Sequence, residues 1–170
     1  MKHLAAVMIF LCTAYAQQPV QIQNPCLNNQ CFHAFVSASV AATANTVFTI
    51  QEPAIGFKYI QLQTAIVQCP AQAFTVAQSQ NGVAATTTAG ATIALIPTTA
   101  AAKAQIFTAS NVGAGTAMSA PLVYTAGDAR VIDLSQRVMN SASQNYSITL
   151  TNNGGAACTA TIDVFWYERQ

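Results

Sequence analysis

Asn145-Tyr146-Ser147-Ile148-Thr149-Leu150-Thr151, then Asn152-Asn153-Gly154-Gly155, then Cys158-Thr159-Ala160-Thr161-Ile162-Asp163-Val164-Phe165-Trp166: this run near the carboxyl end decides the fold class. In its first part Tyr146, Ile148 and Leu150 alternate with Ser147, Thr149 and Thr151. In its last part Cys158, Ala160, Ile162, Val164 and Trp166 share one face. A period of two puts successive side chains on opposite faces of a pleated strand, so each part reads as a strand with one face toward a core. The Asn-Asn-Gly-Gly between them is turn chemistry. Register then selects the loop. A three-residue loop over 153–155 sets Leu150 opposite Cys158 and Tyr146 opposite Ile162, whereas a two- or four-residue loop sets Leu150 and Ile148 against residues of the wrong face. The expectation is a C-terminal hairpin with Gly155 in the left-handed position.

The same period recurs upstream. Strands are expected over residues 32–40 and 46–51, flanking a small-residue turn near Ala44-Asn45, and over 57–69. In the last of these Ile60, Leu62 and Ile66 fall on one face and Tyr59, Val67 and Cys69 on the other. A strand of that length is expected to bend or bulge. Residues 72–77 carry Phe74 and Val76 inward before an Asn81-Gly82 turn. Residues 92–96, 105–109, 122–125 and 130–134 complete the set. Val131, Leu134 and Val138 also have helical spacing, so a short helix over 128–140 is the alternative there. The Ala/Thr-biased stretch 83–103 repeats at no fixed period and is not a solenoid. Roughly nine short strands with frequent turn signals predict an all-β fold, a single antiparallel β-sandwich of jelly-roll type.

Composition bounds the class. Lys2-His3, the apolar run 4–11 and the small-x-small exit Ala14-Tyr15-Ala16 have the layout of a secretory signal peptide, too short to span a bilayer. The organisation expected is a signal over 1–16, an extension with a cysteine loop over 17–33, and a β-sandwich domain over 34–170. Beyond the signal, Lys58, Lys103, Arg130, Arg137 and Arg169 balance Glu52, Asp128, Asp133, Asp163 and Glu168. A chain without net charge lacks the basic stripe that nucleic acid requires. Apolar residues are too plentiful for disorder. No later apolar run approaches the roughly 18 residues of a span, so membrane insertion after signal removal is not expected.

Cys12 leaves with the signal and Cys26, Cys31, Cys69 and Cys158 remain. An even count in an exported chain reads as two disulfides, with three connectivities open. The pairing favoured is Cys26–Cys31 around a local loop and Cys69–Cys158 between distant strands. Zinc at Cys26, Cys31 and His33 is the rival reading, weakened by the want of a second close ligand pair.

Catalysis is hard to assemble. His33 is the one histidine of the mature chain, expected in a loop or at a sheet edge, and no serine sits in a nucleophile elbow. Glu52, Asp133, Asp163 and Glu168 are the carboxylates from which a glycosidase pair would have to come, and Asp128 with Asp133 is a weak calcium pattern. No catalytic, metal or cofactor residue is therefore assigned. Phe165, Trp166 and Tyr167 are consecutive: Trp166 is expected in the core, with Phe165 and Tyr167 outward as binding aromatics. Asn145-Tyr146-Ser147 is an N-glycosylation acceptor sequence.

These readings point to a secreted, non-enzymatic protein that works by self-association or adhesion at a cell surface or in an extracellular assembly. Residues 17–23, with Val20 and Ile22 alternating with glutamines, have the pattern of a donated strand. The alternative is a carbohydrate-binding module using Phe165 and Tyr167, with a glycan as partner. A lyase or hydrolase built on the few carboxylates is third.

Overall fold

The structure is a computed structural model, and it describes residues 31–51, 59–80, 91–94, 102, 104–109, 115–135, 137–139 and 144–169. The signal segment, Cys26, the 17–23 strand, Glu52 and the Asn81-Gly82 turn lie outside the described residues. Among the described residues twelve strands are β1 (Cys31–Val40), β2 (Asn45–Gln51), β3 (Tyr59–Gln68), β4 (Phe74–Gln80), β5 (Ala91–Ala94), β6 (Gln105–Ala109), β7 (Thr116–Ala117), β8 (Leu122–Tyr124), β9 (Ala129–Asp133), β10 (Val138–Met139), β11 (Asn145–Asn152) and β12 (Cys158–Arg169). The chain is all-β among the described residues. The helix alternative over 128–140 is incorrect, because β9 and β10 both pair with β3 there.

The strands form two antiparallel sheets in a sandwich-like arrangement. The first runs β10-β3-β12-β1-β5 with β9 also on β3; the second runs β6-β2-β11-β4-β7 with β8 also on β4. The expected C-terminal hairpin is absent. β11 pairs with β2 and β4, and β12 pairs with β1 and β3, so the two strands lie in different sheets. The physical reason is that two sheets facing one core both need an inward apolar stripe. Matching alternation is therefore shared by strands that never pair. Gly155 is not left-handed either; among the described residues the positive φ values belong to Thr43 at 58° and Gly127 at 84°.

The β11–β12 connection is a corner held by Asn152, which is fully buried. Its Nδ2 donates to the carbonyls of Val40 (3.3 Å), Ala41 (3.1 Å) and Ala156 (2.8 Å), and its Oδ1 accepts the Gly154 N–H at 2.9 Å. One amide thus satisfies backbone groups of two corners that would otherwise be stranded. A Cβ at Gly154 would run into the Gln72 side chain, so the corner also needs glycine for close approach.

β3 bulges as its length predicts. Leu62 pairs with Trp166 and Thr64 with Phe165, which leaves Gln63 as the extra residue. The bulge moves the inward set from even to odd positions: Ile60 and Leu62 are buried before it, Ala65, Val67 and Cys69 after it. Ile66 consequently faces outward and not with Ile60 and Leu62. The core between the sheets includes Phe32, Val164 and Trp166 of the first sheet and Phe48, Ile148 and Leu150 of the second. Cys69 and Cys158 form a disulfide at the end of the first sheet, with Cα atoms 5.8 Å apart. Cys31 is also disulfide-bonded, and its expected partner Cys26 falls outside the described residues.

Candidate functional site

The two outer sheet faces differ. On the second sheet, the outward Val47, Thr49 and Ser147 are all buried, and Thr49 Oγ1 and Ser147 Oγ share a hydrogen bond of 3.0 Å. Both faces of β2 are therefore closed within the monomer. On the first sheet the outer face is open, and its register sets out three cross-strand rows. Phe35, Asp163, Ile66 and Val131 form the middle row across β1, β12, β3 and β9. Phe35 is 49% exposed and Val131 69%. Above it run His33, Phe165, Thr64 and Asp133, and beyond them Tyr167, Gln61 and Val138, the last also half exposed.

An aromatic and ionic cluster occupies this face. His33 stacks on Phe165 with ring centroids 4.8 Å apart and planes inclined by 16°. Its Nε2 meets Asp163 Oδ1 across the diagonal between β1 and β12. The expectation that His33 lies in a loop or at a sheet edge is incorrect: β1 is flanked by β12 and β5. Tyr167 packs edge-on against Tyr59 at 6.1 Å and donates its hydroxyl proton to Gln61 Oε1. Partial burial pushes the Tyr167 phenol up from its ordinary range, and the neighbouring Tyr59 adds to the shift. Trp166 points the other way, into the core, 1% exposed. Phe165 and Tyr167 thus sit on the outer face that alternation assigns them, half-buried by each other's neighbours.

Among the described residues the carboxylates do not converge. Glu168 is fully buried, and its Oε1 accepts the Trp166 indole N–H at 3.0 Å and the Ala104 amide at 2.8 Å. Asp163 and Asp133 share the outer face. Strand spacing and rise put them about 12 Å apart, wider than the roughly 5–9.5 Å of glycosidase pairs. Asp128 and Asp133 are each taken up by their own turn. Asp128 Oδ2 accepts from the Thr125 hydroxyl (2.9 Å), the Thr125 amide and Arg130 (3.0 Å); Asp133 Oδ1 accepts the Ser135 amide at 2.9 Å. Those bonds, the Thr125 hydroxyl first for Asp128 and the Ser135 amide first for Asp133, lower both acids. Zinc at Cys26, Cys31 and His33 conflicts with the disulfide at Cys31.

A cleft of about 100 Å³ opens between the sheet edges, lined by Gln80, Met118, Arg137, Met139, Gln144 and Tyr146 among others. It has room for about three waters and for no drug-sized ligand. The Asn145 acceptor sequence lies on β11, between β2 and β4, with Asn145 only 5% exposed. The folded chain does not present it to a transferase.

No family model, curated protein or solved structure matches this chain. What sequence reasoning missed at this face is the His33–Asp163–Phe165 cluster and the Ile66–Val131 row. The first required knowing that β1 pairs with β12, a contact between the two ends of the domain. The second required placing the β3 bulge at Gln63.

Proposed function

We propose that this chain is a secreted, non-enzymatic β-sandwich protein of jelly-roll strand order that works by self-association or adhesion in an extracellular assembly. The observation that carries the reading is the open outer face of the first sheet. Exposed apolar side chains gathered on one face favour a binding partner, and here Phe35, Val131 and Val138 are each about half exposed or more on one face, interspersed with Asp163, Thr64 and Gln61. Near-zero net charge removes the repulsion that would keep copies apart. The jelly-roll reading is supported by the way β1, β3 and β12 share one sheet while β2, β4 and β11 share the other. The Cys69–Cys158 bridge fits an oxidising compartment. Light scattering on the exported chain between about 1 and 100 µM tests the reading; a mass that stays monomeric throughout, with no retention on surfaces, rejects it.

The second reading, a carbohydrate-binding module, rests on Phe165 and Tyr167 lying beside Gln61 and Asp163 on that face. Aromatic rings flanked by amide and carboxylate groups suit a sugar's apolar face and hydroxyls. Phe165, however, already gives one ring face to His33. A glycan array decides, with Phe165→Ala and Tyr167→Ala expected to weaken any binding found.

A further inference from the structure

We infer that the outer face of the β10-β3-β12-β1-β5 sheet docks a second copy of this chain, with the row Phe35, Ile66 and Val131 as the centre of the contact. The inference rests on the self-association reading above and names its surface. Three observations select this occupant. The first is area. The four strand positions that such a contact overlaps, at roughly 4.8 Å spacing and about ten residues of roughly 3.3 Å rise, make a face of about 600 Å². That is the lower end of what each partner contributes to a stable interface, roughly 600–1,000 Å².

The second is charge. His33 and Asp163 are paired within the face, and Asp133 is held by the Ser135 amide. The Ser135 amide leaves Asp133 negatively charged, so the face carries one carboxylate with no cation on it among the described residues, and an acidic ligand gains nothing there. A second copy related by the two-fold axis described next brings His33 opposite Asp133.

The third is the order of residues along the row. Phe35 on β1 and Val131 on β9 flank Asp163 and Ile66, and the row continues past Phe35 to Ala91 on β5. A two-fold axis parallel to the strands and passing between β12 and β3 sets Phe35 of one copy against Val131 of the other, and the reverse. Such a contact is self-complementary, as a closed dimer requires. The same operation brings Asp163 toward Ile66 of the partner. An isolated carboxylate could not be buried so, and the His33 contact makes the placement tolerable.

The test compares the exported chain with Val131→Asp, Phe35→Asp and Val123→Asp by light scattering and sedimentation. Val131 and Phe35 flank the centre of the row on opposite sides; Val123 is 72% exposed on β8 of the other sheet and adds the same charge elsewhere. Emission of the single tryptophan, buried Trp166, reports whether each variant is folded. The expected result is association of the parent and of Val123→Asp, with about a hundredfold weaker association for each row variant, since two-fold symmetry repeats each lesion. If one row variant fails to fold, the other still decides. Parent-like association of a folded Val131→Asp or Phe35→Asp overturns the surface while the self-association reading stands. Equal loss in Val123→Asp overturns it too, by showing that added charge acts anywhere. A monomeric parent rejects both; one that binds a polysaccharide through Phe165 assigns the face to a glycan instead.

Discussion

Replacing Cys69 and Cys158 together by alanine probes the main covalent restraint on the described fold. The bridge joins the residue after β3 to the first residue of β12, across 89 positions of chain. Loop-closure entropy in the unfolded ensemble is worth about 4–5 kcal/mol for a loop of that size, against measured losses of about 2–5 kcal/mol for native bridges. Both cysteines are buried, so two small voids add to the loss. For a domain of this length the expected fall in melting temperature is roughly 2–4 °C per kcal/mol, or about 10–15 °C in all. Urea titration followed by Trp166 emission measures it. The denaturant slope should also rise, because the unlinked chain exposes more surface when unfolded. A loss below about 1 kcal/mol with an unchanged slope would refute the reasoning. It would mean that the unfolded chain is already as compact as the bridge makes it.

Asn152→Ala removes three donated bonds and one accepted bond at a fully buried corner. Urea unfolding should show a loss of about 2–4 kcal/mol, with Asn152→Asp at least as damaging because a carboxylate cannot donate to the three carbonyls. Glu168→Leu leaves the Trp166 indole and the Ala104 amide without their acceptor; a loss of about 2–4 kcal/mol and altered Trp166 emission are expected, with Glu168→Gln, which keeps an acceptor oxygen, less severe. Tyr146 donates to Gln78 Oε1 at 2.5 Å, and burial raises its phenol far above the ordinary range against a smaller opposing effect of Arg137. The unfolded chain loses that proton above about pH 10 and the folded chain keeps it, so stability is full below pH 10 and falls as pH rises beyond it. Urea midpoints at rising alkaline pH should show the fall, and Tyr146→Phe should flatten it; an unchanged slope in that variant would place the effect elsewhere.

The strands were largely legible because each carries its own apolar period. Residues 105–109 match β6 throughout, and Phe74, Val76 and Trp166 point inward as alternation requires. The Cys69–Cys158 bridge was legible for a related reason: Cys158 shares the inward face of Ile162 and Val164, and Cys69 leaves its strand at Pro70. The alternate placement of Ile66 was not. Position 63 had to be known as the bulge, and its marks are tertiary: the Gln63 carbonyl accepts the Leu134 amide at 2.9 Å. Of the open face, Asp163, Phe165 and Tyr167 could be placed outward from their own strand. Which residues lie beside them is set by β1 and β3, whose pairing with β12 spans most of the domain.

The failed hairpin shows most clearly what local pattern leaves undetermined. Matching apolar faces across a turn is necessary for a hairpin and equally satisfied by two strands that face each other across a core. Connection length separates the cases better. A chain changing sheets must cross roughly 10 Å, whereas paired strands lie about 4.8 Å apart, and hairpin loops favour two or three residues. Between β11 and β12 lie residues 153–157, between β3 and β4 residues 69–73, and between β1 and β2 residues 41–44. All three change sheets. The choice is then fixed by Asn152, the last residue of its strand, where a hairpin would leave a polar side chain facing its partner or solvent. Buried instead, it binds the carbonyls of the β1–β2 corner and of its own corner together. The Asn-Asn-Gly-Gly run is turn chemistry after all, but its first asparagine stitches two sheet-crossing corners into one.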